Sequence, residues 1–189
     1  GIIVQLLISW LLIWFFEKEN LSVLGFRPTG TRMKHFCLFF LVTAFFAASG
    51  FLIRMYYGER WAINPAFTSR LFMEGLWWNI KSVLFEELIF RGVILYLLVK
   101  RIGAAKAIII SAIAFGIYHW FSYGVIGDPR LMIFIFLVTG AAGLVYAYGY
   151  TSTLSLYIPC AIHLGWNFTR NFIFSEGNIG AGLLVPDKP

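Results

Sequence analysis

Apolar positions fall in long blocks along the chain, and polar ones gather in the short stretches between them. A helix that crosses a bilayer needs about 20 mostly apolar residues, and on that measure the pattern predicts about six or more spanning helices. The first block, residues 2–16, is short for a span and reads as clipped at its start. The second covers 36–53. The third is a long helical run opened by a cap at Thr68 or Ser69 and continuing to about Val99, where Lys100, Arg101 and Gly103 supply a basic end and a stop. The remaining blocks are 107–121, 131–150 and 154–174, the last with Pro159 in its early turns.

The connections have recognisable punctuation. Pro28 and Gly30 mark a turn in the polar stretch 17–34, and Gly127, Asp128 and Pro129 act as breakers after the fourth block. Residues 54–65 are polar and aromatic, and 175–189 read as surface loop. Trp77 and Trp78 suit an interface, and Lys81 suits snorkelling. In the fifth block, Gly140, Ala141, Ala142, Gly143 and Ala147 leave room for another helix to approach closely.

Composition turns this pattern into a class. The 189 residues are 60% hydrophobic and 13% charged, with a mean hydropathy of +0.79, well outside the range of soluble domains. The expected fold is therefore all-α: a polytopic transmembrane helical bundle forming a single integral membrane domain over 1–189, with membrane lipids as neighbours. A formal charge of +6 sits mainly in short connections, as headgroup contact requires, so no nucleic-acid partner is expected. The basic connections 17–34 and 100–106 lie on one face, which orientation rules favour as cytoplasmic. Cys37 and Cys160 both lie in apolar runs and are expected as two buried thiols without a disulfide.

Against this background, the polar residues within the apolar blocks stand out. An ionised side chain at the centre of a span costs about 2.5–3.5 kcal/mol, yet residues 85–92 read FEELIFRG. Glu87 and Arg91, at i and i+4, share a helix face and can pair, whereas Glu86 points elsewhere. Phe115 and His119 are likewise one turn apart, as are His163 and Asn167. Each feature alone has a structural reading: an ion-pair lock, a packing histidine, an interhelical clasp. Together they suggest one polar site between helices in the membrane. The set suffices for peptide hydrolysis without a serine or cysteine nucleophile. A desolvated carboxylate takes a proton from water, imidazoles share that task or hold a divalent metal, and a carboxamide or arginine donates to the oxyanion.

These three motifs, Glu86-Glu87-x-x-x-Arg91, Phe115-x-x-x-His119 and His163-x-x-x-Asn167, resemble in order and without departure those of the CPBP, or Abi, family of intramembrane proteases, which includes the type II CAAX prenyl endopeptidases. The resemblance covers about 77–172. It implies Glu86 as the general base, His119 as its helper, Glu87 as a stabilising group paired with Arg91, and His163 and Asn167 as metal ligands or oxyanion donors. Glu86, His119, His163 and Asn167 would be the ligand set for Zn2+ or another divalent ion, if one is used; whether the site holds a metal or only a water is left open. The implied activity is a metallo- or glutamate-dependent endopeptidase acting on a membrane-bound, lipidated peptide, prenylated in the CAAX manner or bacteriocin-like.

Two other classes compete. Intramembrane Glu and His also build proton- or metal-coupled transporters, but the carboxylates here are confined to one helix and no inverted repeat is visible. A non-catalytic bacteriocin-immunity or interaction protein could keep the same residues as architecture.

Overall fold

A computed structural model describes residues 1–175 and 182–187. Their order is α1 (Ile2–Glu17), a 3-10 turn (Leu21–Leu24), α2 (Gly30–Tyr56), β1 (Trp61–Ile63), α3 (Ser69–Phe90), α4 (Val93–Ile102), α5 (Ala104–Ser122), α6 (Pro129–Thr153), α7 (Tyr157–Phe168), a π-helical turn (Thr169–Ile173) and β2 (Leu184–Pro186). The all-α class holds. Among the described residues, α2, α5 and α6 have both the length and the apolarity to cross a membrane. The 16-residue α1 is apolar but shorter. The 22-residue α3 is long enough, yet carries Arg70, Glu74, Lys81, Glu86 and Glu87. Large apolar side chains, among them Phe45, Phe46, Ile133, Phe134 and Leu137, face outward, as expected for helices solvated by lipid tails.

The chain divides into two compact units. The first contains Gly1–Thr29 and Phe85–Pro159. Within it, α5 packs along α6, and α4 contacts α1, α5 and α6. Trp120 Nε1 donates to the Met132 carbonyl at 2.8 Å, and Ser111 Oγ to the Phe90 carbonyl at 3.0 Å. At the end of α1, the Glu17 carboxylate accepts from Lys100 Nζ (2.5 Å) and Arg101 Nη2 (2.9 Å) of α4. This ties together the two helix ends that open the basic connections 17–34 and 100–106.

The second unit contains Gly30–Leu84 and Cys160–Pro189. Here β1 and β2 pair antiparallel, with Trp61 opposite Pro186 and Ile63 opposite Leu184. The strands are anchored by an aromatic cluster: Phe51 and Phe174 stack at 4.4 Å, and Trp61 meets both edge-on. Geometry of this kind stabilises beyond simple area burial.

Several expectations are corrected. The helical run from Thr68 is capped as expected, with Thr68 Oγ1 accepting from Leu71 N at 3.3 Å, but it is not continuous to Val99. It breaks at Arg91-Gly92, between α3 and α4. The Leu88 carbonyl approaches so closely there that a Cβ on Gly92 would lie 2.2 Å from it, and only glycine admits that contact. Gly127, Asp128 and Pro129 do interrupt the chain, but they also start α6: Asp128 accepts from Arg130 N and Leu131 N, with Pro129 in the first turn. Residues 54–65 and the tail contribute β1 and β2, rather than connection and loop alone; tail residues 176–181 and 188–189 lie outside the described residues. Strands of three residues are too short to leave an alternation in the sequence. Neither cysteine forms a disulfide, but only Cys160 is buried, while Cys37 is exposed on α2, where an apolar run marks contact with lipid as readily as a protein core.

Candidate active site

The end of α3 presents its two glutamates differently, as residues 100° apart on a helix must. Glu87 has no exposed side-chain surface and accepts from Arg91 Nη1 at 3.3 Å. Arg91 is equally buried. Its Nη2 donates to the Gly143 carbonyl of α6 at 3.2 Å, and its guanidinium carbon lies 4.2 Å from the Phe115 ring, 5.0 Å from Tyr146 and 5.8 Å from Phe90. A cation desolvated this completely is offset by its counterion, by backbone hydrogen bonding and by aromatic faces together.

Glu86 keeps about 13% of its side-chain surface exposed, whereas Glu87 keeps none. Its Oε2 lies 3.9 Å from Nε2 of His119 on α5. Nδ1 of His119 is 2.8 Å from the Phe115 carbonyl. A carbonyl only accepts, so Nδ1 donates there, and Nε2 is the ring nitrogen that faces Glu86. Phe115 therefore serves twice, its ring under Arg91 and its carbonyl on His119. Tyr118 and Tyr123 flank the imidazole, with ring centroids 5.2 Å and 5.7 Å away.

Among the predicted residues, the first unit thus brings Glu86 to His119 and Glu87 to Arg91. His163 and Asn167 lie one turn apart on α7 in the second unit, with His163 buried and Asn167 half-buried. Among the described residues, no three His, Cys, Asp or Glu side chains are grouped as a metal site requires. Within the first unit, Glu86 and His119 offer two donors of a type that a divalent cation accepts. Residues missed by motif reading are Gly143 and Tyr146 on α6. That helix carries no charged or motif residue inside the membrane, and the only signal was its run of small residues.

Comparison with known families now decides the class. The pattern of the type II CAAX prenyl endopeptidase Rce1-like family matches residues 68–169. The chain belongs to this family. Membership makes it an integral membrane protein of the CAAX-type endopeptidase class, in agreement with its long apolar helices. No curated protein and no solved structure matches the chain.

Proposed function

We propose that this CAAX-type endopeptidase hydrolyses a membrane-bound, prenylated peptide by means of a water activated by Glu86. The observation that carries the reading is the 3.9 Å separation of Glu86 Oε2 from His119 Nε2, with the imidazole proton committed to the Phe115 carbonyl. A single water bonded at about 2.8 Å to each group would span that distance. Both groups accept, so the water gives one hydrogen to each and its oxygen lone pair is left for the substrate carbonyl carbon.

The steps follow from this arrangement. Glu86 removes a proton as the water oxygen bonds to the carbonyl carbon, giving a tetrahedral oxyanion. His163 and Asn167, in the role that the family resemblance implies for them, donate hydrogen bonds to that oxyanion. Protonated Glu86 then returns its proton to the leaving amine as the C–N bond breaks, and the product acid and amine part. Glu87 and Arg91 do not touch the reacting atoms; they fix the end of α3 that carries Glu86. On the CAAX pattern, the cut falls after the prenylated cysteine and frees the last three residues.

The class is tested with purified protein in proteoliposomes, incubated with a farnesylated reporter peptide and followed by mass spectrometry. Release of a discrete C-terminal fragment is expected. Ion or proton flux across the vesicle wall without any peptide product would overturn the reading in favour of a transporter.

A further inference from the structure

Helix α6 carries none of the three motifs, yet it packs against Arg91. On α6, Gly143 presents its carbonyl to Arg91 Nη2 at 3.2 Å. A Cβ at this position would sit 3.3 Å from the same nitrogen, 3.1 Å from Ala112 Cα and 3.3 Å from Phe115 Cβ. One turn further on, Tyr146 is buried. Its ring lies 5.0 Å from the guanidinium carbon and 5.9 Å from the Phe115 ring. Phe115 and Tyr146 thus flank the guanidinium from α5 and α6. The pair Glu87–Arg91 is held by those faces as well as by its own contact, and Glu86 is bonded in sequence to Glu87.

We propose that Tyr146 is a positioning residue for peptide hydrolysis: its ring, with the Gly143 carbonyl, seats Arg91 and through it the end of α3 that carries Glu86. The inference rests on the reading of Glu86 as the base, and it extends the working site to a helix that family motifs do not mark. The inference stands on the contact of the ring with the guanidinium, so it is the ring that the rate requires. The seat holds geometry rather than substrate, so its loss lowers turnover and leaves substrate affinity unchanged.

The test compares Tyr146→Met, Tyr146→Phe, Arg91→Lys and the double variant Tyr146→Met/Arg91→Lys on a fluorogenic lipidated peptide in proteoliposomes. Tyr146→Met is expected to lower kcat by about tenfold or more with KM little changed, the effect of losing one desolvated cation–π contact. Tyr146→Phe restores most of the rate. The double variant is no slower than Arg91→Lys alone, because both changes strike one linkage. Wild-type turnover in Tyr146→Met, equal loss in Tyr146→Phe, or additive losses in the double variant would each overturn the inference. If Tyr146→Met does not fold, Gly143→Ala takes its place and the same non-additivity with Arg91→Lys is required. Glu86→Ala run alongside separates the two claims: full activity there defeats the base assignment, whereas an inactive Glu86→Ala beside a fully active Tyr146→Met defeats only this inference.

Discussion

Glu87 and Arg91 meet at 3.3 Å one turn apart, and neither side chain retains any exposed surface. A pair buried this far gains little over apolar packing while intact, but removing one partner strands a charge. Glu87→Ala or Arg91→Ala should therefore cost about 3–5 kcal/mol, seen as a large drop in thermal midpoint in detergent. The double variant Glu87→Leu/Arg91→Met should recover most of that stability and remain catalytically poor. Equal stability of single and double variants would show that the two groups do not depend on each other.

Close approach of α5 and α6 predicts a sharp contrast between two glycines. Gly143→Ala forces its Cβ to 3.1 Å from Ala112 Cα, an overpacking expected to cost about 1–3 kcal/mol. At Gly140 the nearest atom to an added Cβ is the Ala112 carbonyl oxygen at 3.8 Å, ordinary van der Waals contact. Gly140→Ala should be neutral or slightly stabilising, since it also raises helix propensity. Unfolding midpoints of the two variants, measured side by side, check the difference.

The clamp at the end of α1 predicts a pH dependence. Its hydrogen bond from Lys100 holds the Glu17 carboxyl below its ordinary value of 4.5. A carboxyl with a depressed folded-state pKa stabilises above its unfolded value, and that stabilisation fades as pH falls through the folded one. Wild type and Glu17→Gln should thus differ in thermal midpoint at pH 7 and converge as the solution is acidified below 4.5. The difference should also shrink in high salt, because Lys100 and Arg101 keep about half of their side-chain surface exposed. A gap that persists in acid would place the effect elsewhere.

Metal dependence is the next point to measure. The proposed scheme activates water with Glu86 and His119 alone, so it predicts how activity responds to chelation. Protein stripped with EDTA and assayed in metal-free buffer should retain its turnover. Loss of activity on chelation, with recovery on adding back Zn2+, would replace the scheme with a metal-activated water.

Much of this was legible in the sequence, for physical reasons. Long apolar blocks between short polar stretches fixed α2, α5 and α6, because a bilayer imposes length as well as polarity. The i, i+4 spacing of Glu87 and Arg91 foretold their contact, since helical periodicity alone sets it. What stayed hidden was non-local or very short. The break at Arg91-Gly92 depends on the close approach of one backbone carbonyl, which no periodicity records. The strands β1 and β2 are three residues each and separated by most of the chain. Tyr146 looked like any aromatic residue in a lipid-facing helix, and only its place beside the guanidinium sets it apart.

Turnover of Glu86→Gln bears most directly on the whole account. The substitution keeps the shape of the side chain and removes its ability to take a proton. Measured on a lipidated reporter in proteoliposomes, kcat should fall by about a hundredfold to ten-thousandfold, with reporter affinity and thermal midpoint close to wild type. A Glu86→Gln enzyme that still turns over near the wild-type rate would contradict the assignment of Glu86 as the base and, with it, the mechanism proposed for this protein.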